Sequence, residues 1–254
     1  MSGRLRVLTD NVAGLPQFLS GSSPDTNTIL MSPLLNTYDL VLAQQDFTHH
    51  ADLAHRATHP PPKPAPHAMA TPHARRVEPL LAQPFPQPRP GALARVLRRQ
   101  GAGADCLAEK GFAVSRHELA PGVEVDVYNL HADAGSDSGD IDARALQYRQ
   151  LAHFVRAFSS GRALVVAGDT NLKGRRRPRD EAFFLDFLAD TGLSCAARTL
   201  GAPEDIDRVL FRNTPRRKWV PLRWREADEC VDGNGKDLSD RKANDVDFEW
   251  RLYP

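Results

Sequence analysis

Apolar and polar positions along the chain fall into short runs of two kinds. Strand-like stretches recur at 5–8, 40–43, 123–130, 163–167, 209–211 and 246–250, where branched and aromatic residues cluster or alternate with polar ones. Between the third and fourth runs the spacing changes to that of a helix over about 141–158. There Leu151, Phe154, Val155 and Phe158 share a face and Gly161 is placed as a stop. A second helix is predicted over 181–190, with Phe184, Phe187 and Leu188 on one side and Gly192 beyond its end. Strands and helices interleave, so the pattern predicts an α/β layered fold around one core. A chain of 254 residues is long enough for one such domain, and the whole of 1–254 is read as one.

The pattern breaks at about 55–91. Residues 59–90 hold eleven of the twenty prolines, which remove the backbone donors that helices and sheets need. His49, His50, His55, His59, His67 and His73 lie just before and within this stretch. It reads as an insertion, either a surface excursion or a lid over a cleft.

Charge and composition then narrow the function classes. With 33 basic and 32 acidic residues the net charge is +1, so the chain has no bulk attraction for nucleic acid or anionic membrane. No apolar run is long enough to span a bilayer. The N-terminus enters a strand-like stretch without an apolar leader, which reads as cytoplasmic, or as secreted with its signal peptide removed. Cys106, Cys195 and Cys230 show no metal-ligand spacing, and their odd number leaves at least one thiol unpaired within the chain. That mildly favours a reducing compartment and leaves one Cys pair open.

Candidate chemistry gathers at the ends of the strand-like runs. Thr9-Asp10-Asn11 follows the first, Tyr128-Asn129-Leu130-His131 closes the third, Gly168-Asp169-Thr170-Asn171 follows the fourth, and Asp207 precedes Val209. Any one of these is a common turn or cap. Their order along the chain is the stronger signal.

Through TDNVAGLP, DLVLAQQDF, VYNLHADAG, VAGDTN, IDRVLF and LSDRKANDVDFEW the chain resembles the endonuclease/exonuclease/phosphatase superfamily, with its deoxyribonuclease I-like fold. The resemblance implies a four-layered αββα sandwich and a Mg²⁺-dependent attack of water on a phosphoester. It implies Asn11 in the metal shell, Asp169 orienting or deprotonating the water, and Asn171 holding a phosphate oxygen or that Asp. His131 would contact the phosphate or its leaving group, Asp207 would orient the family's catalytic His, and Asp240 would belong to the Ser-Asp-His turn.

Two positions depart from that pattern. Gln45 stands where the family has a metal-binding Glu, and Arg241 where it has the catalytic His. Gln offers Mg²⁺ a neutral carbonyl oxygen in place of a carboxylate. Arg donates hydrogen bonds but not its proton, while still matching a phosphate with its fork. The metal set implied is therefore Asn11, Gln45 and Asp240, with weak or lost affinity, and the cofactor expectation is weakened Mg²⁺ or none. Asp10 and Asp46 are expected to point away from their strand neighbours and out of that set. An ion pair between Asp207 and Arg241 is expected. His131, Asp169, Asn171, Asp207, Asp240 and Arg241 are the catalytic candidates, and Asn129, His50, Arg175 and Arg176 the substrate-binding ones. Three readings stay open: a divergent phosphoester hydrolase, a cleft turned to metal-independent, non-hydrolytic acid/base chemistry on an anion, and a non-catalytic binding module. A small-molecule or lipid phosphoester, or another anion, is favoured over nucleic acid, whose recognition asks for a broader basic face.

Overall fold

The computed structural model describes residues 1–14, 22–46, 49–58, 81–84 and 110–254, with the backbone alone at 81–84 and at Arg175. Most of the Pro/His-rich insertion, including His59, His67 and His73, and also Cys106, lies outside the described residues.

Strand β1 (Ser2–Asn11) carries Leu5 and Val7 on one face and Leu8 and Val12 on or just past the other. Helix α1 (Pro24–Met31) and a 3-10 turn (Leu34–Thr37) lead to β2 (Leu40–Gln44), which pairs in parallel with β1. Short helix α2 (His50–Ala54) follows. A second sheet then forms from β3 (Leu81–Pro84), β4 (Gly111–Ala120) and β5 (Val123–His131), all antiparallel. Helix α3 (Ser138–Phe158) starts three residues before the periodicity predicts, because the Asp137 N–H donates to Asp140 Oδ2 at 2.9 Å and so closes the first turn. It returns the chain to β6 (Leu164–Asp169), parallel to β5. Helix α4 (Pro178–Thr191) opens on a proline and ends on Gly192 at φ 68°. Strand β7 (Ser194–Cys195), helix α5 (Ala196–Leu200), β8 (Asp207–Arg212), β9 (Arg217–Glu226) and β10 (Asn244–Leu252) complete the described elements.

The two sheets run β2-β1-β10-β9 and β3-β4-β5-β6-β8-β7. Their facing sides share one core, in which Val7, Leu42, Val246 and Phe248 meet Val125, Val127, Val165 and Val209. Tyr148, Leu151, Val155, Phe184 and Phe187 of α3 and α4 pack on the outside of the larger sheet against Leu130, Val166 and Leu210. On the outside of the smaller sheet, Leu8 packs with Met31, Leu35 and Leu53. This is the αββα sandwich that the motifs imply. Among the described residues Cys195 and Cys230 are buried free thiols, and no helix is long and apolar enough to cross a membrane.

Candidate active site

The polar clusters converge because of register. His131, Asp169 and Asp207 are neighbours across three adjacent strands: His131 pairs with Asp169 across β5 and β6, and Asp169 with Asp207 across β6 and β8. Since β8 runs antiparallel to β6, its first residue lies at the same end of the sheet as the last residue of β6. Gly168 permits this alignment, for a Cβ there would stand 1.9 Å from the Leu130 carbonyl oxygen. Asn11 ends β1 in the facing sheet and closes the cleft from that side.

Backbone strain collects at the same end. Ala13, Gln45 and Asn171 are the non-glycine residues with positive φ among those described, at 47°, 59° and 49°. Ala13 and Asn171 lie just past strands that end on Asn11 and Asp169, and Gln45 directly follows β2. Such conformations cost of order 1–3 kcal/mol and persist where surrounding contacts enforce them. Those contacts are visible: Gly14 N–H donates to the Gln45 carbonyl at 2.8 Å, and Asn171 Nδ2 to the Ala132 carbonyl at 2.8 Å.

Asp169 is the hub. Its Oδ2 accepts from Arg241 Nη2 at 2.6 Å and from Asn11 Nδ2 at 3.0 Å, and its Oδ1 from the Asn171 N–H at 3.1 Å. His131 Nε2 stands 3.3 Å from Oδ2. Burial works against the charge of Asp169, but His131 and the Arg241 guanidinium outweigh it, so this carboxyl titrates well below the usual carboxylate range. Arg241 is correspondingly held in its charged form, because Asp169 and Asp207 offset the cost of its burial. The ion pair expected with Asp207 is long, at 3.8 Å, and the short contact goes to Asp169. The physical reason lies in Asp207 itself. Burial and then the Asp169 charge raise its carboxyl well above the usual range, and neither of its oxygens has a hydrogen-bond partner.

His131 has a neighbour that no motif announces. Lys110 Nζ is 2.6 Å from His131 Nε2 and the lysine is 5% exposed. Nε2 lies between this amine and Asp169 Oδ2, so the ring tautomer decides which of the two it bonds. Burial first, then Lys110 and Arg241, lower the His131 pKa and keep the ring neutral despite Asp169.

The remaining candidates separate into near and far. Asp240 is close, with Oδ1 3.9 Å from Arg241 Nε, but its side chain is 60% exposed. Asn129 turns to the smaller sheet, accepting from Gln44 Nε2 at 2.8 Å and donating to the Ala43 carbonyl at 2.7 Å. His50 Nδ1 lies 2.5 Å from Asp46 Oδ2, and Asp46 stands past the end of β2 and beyond the positive φ of Gln45, where strand alternation no longer applies. Arg176 lies on the helix side of the larger sheet beside Arg208, and the side chain of Arg175 is outside what is described. Asp10 points to the outer face of its sheet, as alternation predicts, yet it is 2% exposed and neither carboxylate oxygen has a hydrogen-bond partner. Burial raises it to about 7, against the pull of Arg241. The half-buried Gln45 makes no side-chain hydrogen bond among the described residues, and Asn11 Oδ1 is engaged by the Ala13 N–H at 3.2 Å. No three His, Cys, Asp or Glu side chains converge as a metal cage among the described residues.

Known proteins resemble the chain in sequence and in fold. A sphingomyelinase of Mycobacterium tuberculosis is 32% identical over 212 residues, which are 77% of this chain and 39% of the relative, so the chain spans about two fifths of that protein's length. The crystal structure of an endonuclease/exonuclease/phosphatase from Beutenbergia cavernae superposes with a TM-score of 0.57 at 17% identity, covering 98% of this chain and 72% of the other. A Staphylococcus aureus beta toxin mutant with bound magnesium ions gives 0.56 at 15% identity, covering 96% and 99%. No family model matches the chain. The ordered motifs lie together at one end of an αββα sandwich, and these likenesses show that the chain has the deoxyribonuclease I-like fold shared by endonuclease/exonuclease/phosphatase proteins.

Proposed function

We propose that the chain is a phosphodiester hydrolase acting on a lipid headgroup ester, and that Arg241 has taken over from a strongly bound Mg²⁺ as the counter-charge of the phosphate. The observation that carries this reading is the Arg241 guanidinium, 2.6 Å from Asp169 and between Asp207 and Asp240, at the cleft end of both sheets. The sphingomyelinase likeness supports a lipid phosphodiester as the substrate class. The residues present do not fit Mg²⁺ well. Gln45 is neutral, the Asn11 amide oxygen is spent on a backbone N–H, and a cation already contacts Asp169. Hard divalent ions need carboxylates and water there.

In this reading Arg241 and Lys110 neutralise the phosphate oxygens, and Asp169 holds Arg241 in place. Water attacks phosphorus and loses its proton to the neutral His131 ring, while the bond from phosphorus to the leaving oxygen breaks. That oxygen takes the proton that burial keeps on Asp207. Base and acid then flank Asp169 on opposite sides, in the order their strands dictate.

Turnover of sphingomyelin vesicles and of bis-p-nitrophenyl phosphate, with EDTA and with added Mg²⁺, tests the proposal. Activity is expected to persist in EDTA and to fall at least a hundredfold in Arg241→Ala. Activity abolished by EDTA and restored by Mg²⁺ would return the site to metal-dependent hydrolysis. A folded protein inert towards both esters, with or without the metal, would make it a binding module.

A further inference from the structure

Arg208 follows Asp207, and strand alternation sends the two side chains to opposite faces of the larger sheet. Val209 and Phe211 lie in the core between the sheets, whereas Leu210 lies under the helices, on the face to which Arg208 belongs. Arg208 is 3% exposed. Its guanidinium lies over the Phe184 ring at 4.9 Å, and Nη1 donates to Thr170 Oγ1 at 2.6 Å. Its Nε has no hydrogen-bond partner, with Glu204 Oε2 3.7 Å away. Glu204 is already engaged by Arg198 Nε at 2.8 Å, and the same arginine binds Glu181 at 2.8 Å.

This guanidinium lines a concavity of about 470 Å³ with Lys173, Arg176, Arg198, Glu204 and Asp205. Lys173 and Arg176 are exposed and make no ion pair among the described residues. Asp205 is turned to the backbone, its Oδ1 accepting from the Ile206 N–H at 2.7 Å. Gly174, at φ 53°, lays the loop over the site, and a Cβ there would stand 3.2 Å from Arg208 Nη2. The wall therefore presents four cations, with Arg198 paired to Glu204 and Glu181 and Arg208 fixed by stacking, while Lys173 and Arg176 have no acidic partner among the described residues. Arg208 keeps one buried donor unmatched, a cost that an anion drawn against this wall would offset.

We propose that this concavity is a second phosphate-binding site, built for a small soluble phosphomonoester and separate from the cleft at Arg241. Arginine forks and lysine suit phosphate oxygens, and the volume exceeds what a bare phosphate fills, leaving room for its organic part. The site touches the cleft through the chain itself. Arg208 is bonded to Thr170, which lies between Asp169 and Asn171, so occupancy is expected to change turnover without contact with the substrate.

Calorimetric titration with inorganic phosphate tests this on the full chain. Wild type is expected to bind two phosphates, Arg241→Ala one, and the exposed double variant Lys173→Glu with Arg176→Glu to weaken the other at least tenfold while keeping the wild-type Tm. Arg208→Met should weaken the same site. If Arg241→Ala abolishes all phosphate binding, or the double variant changes nothing, the proposal is wrong. If the double variant removes one phosphate and Arg241→Ala removes none, this site stands and the reading of the cleft fails. Co-sedimentation with phosphatidylglycerol vesicles separates the sources. Vesicle binding that is lost in the double variant, with no binding of free phosphate, would assign the site to a lipid surface and overturn a soluble ligand.

Discussion

The larger sheet buries carboxylates at both of its ends, and the two ends treat them in opposite ways. At one end Asp126, fully buried, accepts from Arg116 Nε at 2.8 Å, Ser159 Oγ at 2.7 Å and Arg162 Nε at 3.1 Å. At the other, Asp207 is almost as deeply buried and neither of its oxygens accepts a hydrogen bond, and the same holds for Asp10 on the facing sheet. Buried polar groups are normally satisfied because an orphaned one gives up its hydration without return. The first end thus reads as architecture. The second retains unspent polarity, three strained turns and a crowded pair of acids, and only a task other than stability accounts for keeping them.

The contrast predicts different failures. Asp169→Asn should lower turnover about 10²–10⁴-fold, the range of a positioned polar catalytic group. Its effect on Tm should be smaller, because the charge removed was balanced by a partly exposed Arg241. Asp126→Ala should do the reverse, costing about 3 kcal/mol of stability by stranding its buried partners, with turnover per folded molecule unchanged. Urea unfolding and steady-state rates on both variants check this. If Asp126→Ala lowered the rate as much as Asp169→Asn, the division between the two ends would be wrong.

Sequence pattern reveals one end of this contrast better than the rest of the molecule. The six strand-like runs correspond to β1, β2, β5, β6, β8 and β10, since each has a fully buried apolar face. Strand β9 escapes such a reading because Lys218, Arg223 and Arg225 interrupt its apolar residues and Pro221 sits beside a register shift against β10. Strand β4 turns polar halfway, where Arg116 leaves the core for Asp126. Asn11, His131, Asp169, Asp207 and Arg241 are brought together by strand order, and motifs preserve strand order. Lys110 is invisible in the same terms. A single Lys ahead of a glycine carries no pattern, and only pairing of β4 with β5 brings it to His131. Arg208 did leave a signal, since alternation beside Asp207 must send it to the other face of the sheet.

Asp10 offers a finer test of unspent polarity. Its carboxyl is raised by burial to about 7, so the folded state holds a proton that the unfolded chain releases near pH 4. The contribution is therefore present in full below that pH and is lost as pH rises towards 7. A fall in unfolding free energy of about 1–2 kcal/mol across this window is expected, less than the full shift implies because water penetration softens burial. Asp10→Asn should remove this part of the pH dependence whatever its absolute stability. A wild-type profile with no decline from pH 4 to 7 would show Asp10 ionised and solvated.

The smallest effect expected is on metal. Gln45→Glu would add one carboxylate beside Asn11, and a unit charge about 4 Å from a cation contributes on the order of 1 kcal/mol even in water-like surroundings. Mn²⁺ and Mg²⁺ affinity should then rise about tenfold from a weak baseline, read by calorimetry without substrate so that the result does not depend on turnover. Arg241 opposes the gain, because its guanidinium stays charged between Asp169 and Asp207. Adding Arg241→His to Gln45→Glu should raise affinity further than Gln45→Glu alone, since a neutral imidazole would then face the new carboxylate and release Asp169 to the metal. Tight Mg²⁺ binding by wild type, unchanged by either substitution, would mean that the cleft draws its ligands from elsewhere and that Arg241 is not its counter-charge.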